Sequence, residues 1–119
     1  MLLIEPDPDY RNRLREALAR ELPTATVDCV GDAGAFGALK SFAGLDVVVT
    51  CWRLYWTNAR TVVRLVKAEA PQCRIVVMSD PMPFVLDPAE IVRSAGADRY
   101  VAKSASLDDV SGVVRALLS

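Results

Sequence analysis

The chain has 119 residues, 52% hydrophobic and 24% charged, with 14 basic against 15 acidic residues for a formal net charge of -1. That length makes one domain, 1–119, with enough apolar side chains for a sizeable core, and the even charge balance fits neither a nucleic-acid groove nor a membrane surface. With no histidine, Ser/His/Asp and Cys/His nucleophiles, histidine phosphotransfer and most zinc patterns are excluded.

Short apolar runs rich in β-branched residues predict five strands: Leu2 to Ile4, Ala25 to Val30, Val47 to Val49, Ile75 to Met78 and Tyr100 to Ala102. Most are apolar at consecutive positions, as parallel strands covered on both faces are. The first helix opens with Asp7 as N-cap and Pro8 at its first position, places Tyr10, Leu14, Leu18 and Leu22 on one face, and ends before Pro23. Further helices are predicted from about Asp32 to Phe42, from about Asn58 to Ala70, and from Pro88 to Ala95 with Gly96 as a left-handed stop. The last begins at Ser106-Leu107-Asp108-Asp109, a cap followed by acids in the first turn, and is expected to bury Leu107, Val110, Val114 and Leu117.

Alternation of five strands with five helices, joined by right-handed crossovers, predicts an α/β flavodoxin-like domain with a parallel sheet in the order 2-1-3-4-5 and helices on both faces. Functional residues of such sheets gather beyond the strand carboxyl ends. Here those segments are Glu5 to Asp7, Thr50 to Asn58, Ser79 to Phe84 and Lys103 to Ser106. The amino terminus has no basic region before a long apolar run, so neither a signal peptide nor a membrane anchor is expected. Cys29, Cys51 and Cys73, an odd number without C-x-x-C spacing, suit a reducing cytoplasmic setting.

At those strand ends the chain resembles the receiver domain of bacterial response regulators. The resemblance is carried by L-L-I-E-P-D-P-D-Y-R at strand 1, L-D-V-V-V-T-C-W-R-L at strand 3, I-V-V-M-S at strand 4 and G-A-D-R-Y-V-A-K at strand 5, in order across the chain. It implies a pocket in which two acids after strand 1 and an Asp ending strand 3 hold Mg²⁺, while that Asp takes a phosphoryl group. Glu5 matches the first acid, but Pro6 stands at the second and Cys51 at the phosphoacceptor. A thiol is a poor Mg²⁺ ligand, so neither a metal nor any other cofactor is expected. The implied hydroxyl and lysine positions fall on Ser79 and Lys103. Each is either an anion contact or structural, Lys103 by pairing with Glu5 and Ser79 by bonding to backbone.

Two loops depart from the resemblance. Trp52-Arg53-Leu54-Tyr55-Trp56 is bulky where a small turn is usual, so Trp52, Tyr55 and Trp56 are either a ligand or partner platform or a plug in the vacated pocket. Ser79-Asp80-Pro81-Met82-Pro83-Phe84 is longer than usual and stiffened by two prolines.

The resemblance thus implies a pseudo-receiver: no enzyme, but a phosphorylation-independent signalling module acting through a protein partner or as a homodimer, without touching nucleic acid or membrane itself. Lys103-Ser104-Ala105-Ser106 resembles receivers that precede a LuxR-type helix-turn-helix domain. Dimerisation is expected on the face of helix 4, strand 5 and helix 5, where Tyr100, Arg93 and Arg115 lie, or on helices 1 and 5 with Arg13. The alternative is a thiol or small-ligand sensor in which Lys103 lowers the pKa of Cys51.

Overall fold

The computed structural model describes residues 1–119. In chain order the elements are β1 Leu2–Ile4, α1 Pro8–Glu21, β2 Asp28–Val30, α2 Ala33–Gly37, β3 Val47–Cys51, α3 Ala59–Glu69, β4 Arg74–Ser79, α4 Pro88–Ser94, β5 Arg99–Ala102 and α5 Leu107–Leu118. The strands form one parallel sheet in the order 2-1-3-4-5, the flavodoxin-like architecture expected from the alternation of elements.

The central strands explain why the sheet is covered on both faces. Every residue of β3, and all of β4 after Arg74, is buried, so no face of these apolar runs is left to water. Leu14 and Leu18 of α1, Val62 and Val66 of α3, and Val110 and Val114 of α5 are fully enclosed against them. Each such side chain contributes about 1.5–3 kcal/mol. Helices α1 and α5 lie side by side, and Arg115 reaches Glu21 across them at 2.9 Å.

Helix starts follow their caps. Asp7, Asp32, Asn58, Asp87 and Ser106 each accept a backbone N–H two or three residues ahead, satisfying donors the first turn leaves open. Gly96 ends the α4 turn at φ +98°, where a Cβ would be strained.

Three expectations are corrected. The second helix stops at Gly37 instead of Phe42, because Glu69 of α3 accepts the Phe42 N–H and the Ser41 hydroxyl, both at 2.8 Å, and draws that segment out of the helix. The second strand begins at Asp28, not Ala25. Its partner β1 begins at Leu2 in register with Asp28, and upstream the Ala25 N–H turns back to the Leu22 carbonyl. Leu107 and Leu117 are half-buried rather than fully enclosed, while Ser111 is buried instead.

Candidate functional site

Four parallel strands deliver one side chain each to the same end of the sheet. Glu5 follows β1, Cys51 ends β3, Ser79 ends β4 and Lys103 follows β5. They surround the floor of an open cleft of about 810 Å³ whose walls come from Pro6 and Asp7, from Trp52, Arg53 and Tyr55, and from the loop Asp80 to Val85.

Glu5 is the hub, only 1% exposed. Its Oε1 forms an ion pair with the Lys103 ammonium. Its Oε2 accepts the Cys51 thiol at 3.2 Å and the Asp7 N–H at 3.3 Å. The Glu5 carbonyl accepts Arg11 Nη1 at 2.9 Å, and that guanidinium lies where a Cβ on Gly31 would sit, 2.0 Å away. Lys103 rests above the Tyr10 ring, 4.6 Å from its centroid, and the Tyr10 hydroxyl points to the Met78 sulfur at 3.8 Å.

The electrostatics follow from this enclosure. Burial is the largest single influence on Lys103 and works against its charge, yet the hydrogen bond to Glu5 and the negative groups around it, Asp80 among them, together outweigh it and hold the lysine above its ordinary pKa. Burial, reinforced by the adjacent Glu5, pushes the Cys51 thiol up to about 12, and the opposing pull of Lys103 is too small to reverse it. The expected lowering of the Cys51 pKa by Lys103 is therefore corrected: the thiol is protonated at neutral pH, the form that does not attack electrophiles.

These residues do not fit Mg²⁺. Both Glu5 oxygens are engaged, Pro6 carries no ligand atom, and Cys51 offers a protonated thiol. Asp7 is turned to the helix, accepting the Asp9 and Tyr10 N–H groups at 3.0 and 3.4 Å.

The other sequence candidates divide. Lys103 pairs with Glu5, the structural alternative. Ser79 does not bond to backbone through its side chain: its hydroxyl shares a 3.0 Å hydrogen bond with the Tyr100 hydroxyl, which binds half-buried Tyr100 to the site. The aromatic loop is not a plug. Trp56 turns away to pack on Phe36, ring centroids 6.0 Å apart, Trp52 stacks under Arg60 at 5.5 Å, and Tyr55 stands 91% exposed at the cleft mouth. Arg93 pairs with Glu90 at 3.0 Å on the α4 surface, and Arg115 is directed to α1 instead of towards α4 and β5. Tyr10 and Arg11 were missed from sequence as site residues, since helical periodicity marks Tyr10 only as core.

No protein-family profile matches the chain, and no curated protein does either. Solved structures match throughout its length. A response regulator receiver domain protein from Clostridium thermocellum superposes with a TM-score of 0.80 at 17% identity, over 98% of this chain and 91% of that one. The signal receiver domain of a DNA binding response regulator from Colwellia psychrerythraea gives 0.82 at 17% identity, over 98% and 95%. An orphan response regulator of H. pylori gives 0.78 at 21% identity, over 99% and 94%. The chain is thus similar in fold to receiver domains. No helix is long and apolar enough to cross a membrane.

Proposed function

We propose that this chain is a pseudo-receiver: a cytoplasmic, non-enzymatic signalling module that works without phosphorylation and passes its signal through a protein partner or a second copy of itself. One observation carries this. The carboxylate at the family's metal position is closed into an ion pair with the lysine that would contact a phosphoryl group, and the phosphoacceptor position holds a protonated thiol. With the lysine and the remaining acid satisfying each other, the floor is neutral and offers a dianion little attraction.

Support for a role in transcription control is of a different kind. A similar fold occurs in the receiver domain of a DNA binding response regulator, and the Lys103 to Ser106 segment resembles receivers followed by a LuxR-type helix-turn-helix. DNA contact would then belong to such an output domain, not to residues 1–119. Nothing in the geometry favours the thiol-sensor alternative, since Cys51 is 5% exposed and its proton is held.

The test is incubation with acetyl phosphate and Mg²⁺, followed by intact-mass and phosphate-affinity electrophoresis. The expected result is no mass gain and no retarded band. A stable gain of one phosphoryl group overturns the proposal.

A further inference from the structure

Two of the most exposed apolar side chains of the molecule line the cleft, Phe84 of the β4–α4 loop at 99% and Tyr55 of the β3–α3 loop at 91%. Leu86, two residues past Phe84 on the same loop, is 105% exposed, whereas the other large exposed hydrophobics, Leu65 and Leu118, are 39% and 40% exposed. Apolar groups so displayed beside a concavity mark a protein contact rather than chance surface. They stand too far out to enclose a small molecule, which needs walls that bury most of its surface.

The charges at the same mouth say what the partner is. Arg53 and Asp80 both line the cleft, both are exposed, and neither forms an ion pair within the chain. By contrast Arg13, Arg93 and Arg115, on the faces expected to dimerise, are all paired internally, with Asp9, Glu90 and Glu21. A two-fold interface requires a patch that is its own complement. This patch holds a projecting loop, a hollow, and one charge of each sign that no ion pair within the chain uses.

We propose that the cleft mouth is a self-association surface, in which Phe84 and Leu86 of one copy seat at the cleft of the other while each Arg53 faces the Asp80 of the opposite copy. The inference rests on the cleft being free of metal and phosphoryl groups, as argued above, and places the dimer elsewhere than the α4, β5 and α5 face.

Sedimentation velocity over about 1 µM to about 1 mM tests it. The wild-type chain should show a concentration-dependent monomer–dimer equilibrium, and Phe84→Ser should raise the dimer Kd at least about tenfold. Arg53→Asp and Asp80→Arg should each weaken the dimer, and the double variant should recover it, because in a homodimer the swap restores both ion pairs. Far-UV circular dichroism of each variant checks that the fold is kept. A wild-type monomer at every concentration, a dimer indifferent to Phe84→Ser, or a charge swap without recovery overturns the proposal. A monomer that still refuses phosphoryl groups removes the dimer and leaves the pseudo-receiver standing.

Discussion

At each end of the sheet a carboxylate is held by a lysine. At the strand starts, Asp98 accepts the Ile75 N–H at 2.7 Å and pairs with Lys67 at 3.2 Å and Arg74 at 3.5 Å, while Lys67 also donates to the Cys73 carbonyl. At the strand carboxyl ends, Glu5 has a cation, a thiol and a backbone N–H. The partner types are nearly the same. What differs is enclosure, since the Asp98 side chain is 21% exposed and that of Glu5 is 1% exposed, and what lies outside, since only the Glu5 end opens into a broad cleft. Two fastenings of nearly the same chemistry thus differ in how far water is kept from the carboxylate and in whether a cleft lies beside it.

Removing the cation at the enclosed end should do the most damage. Lys103→Met strands the Glu5 carboxylate in a buried position and should cost about 3–5 kcal/mol, measured by urea unfolding. Pairing it with Glu5→Met should return stability to within about 1 kcal/mol of wild type, because neither charge is then buried. A single-variant loss below about 1 kcal/mol would mean that water reaches Glu5 and that the two ends are alike.

Asp98→Ala should cost less, about 1–3 kcal/mol in the same measurement. It orphans the Ile75 N–H, but Lys67 and Arg74 are exposed enough to be rehydrated, and salt screens their pairing. A loss equal to that of Lys103→Met would show that burial does not set the difference.

Alkaline pH gives the smallest effect near neutrality. Lys103 and Cys51 both have folded-state pKa values above their ordinary ones, Cys51 moving from 9.0 to about 12. Each therefore keeps its proton longer in the folded chain than in the unfolded one. Their contribution is fully present below pH 9 and is lost as pH climbs towards 12. Thermal unfolding should hold its midpoint up to about pH 9 and fall above it, and Cys51→Val should flatten the early part of the fall. An unchanged slope in that variant would place the titrating group elsewhere.

Sequence reasoning reached most of the architecture because its signals are local. Asp7, Asn58 and Ser106 cap their own helices, Gly96 closes α4, and unbroken apolar runs such as Val47 to Val49 can only be interior strands. The Glu5–Lys103 pair was also foreseeable, as opposite charges at the carboxyl ends of strands in one parallel sheet. What stayed hidden depends on groups distant in the chain. Glu69 truncates α2 from 27 and 28 residues away, and β2 takes its length from where β1 begins. Trp56 packs on Phe36 of α2, a residue far back in the chain, and does not line the cleft. Tyr10 under Lys103 was invisible because a helical stripe tells which face is buried, not what it lies against.

Arg11 and Gly31 extend this hidden layer into genetics. Gly31 owes its small size to the guanidinium that fills the volume beside it, so an alanine there evicts Arg11 from the Glu5 carbonyl and imitates an Arg11 mutation. The two loci should be epistatic: Gly31→Ala on an Arg11→Ala background should add almost nothing to the unfolding free energy, although each alone loses the Arg11 hydrogen bond to the Glu5 carbonyl. In a saturation screen, tolerance at position 31 would then widen as soon as position 11 is shortened, a conditional permissiveness that no survey of single variants reveals.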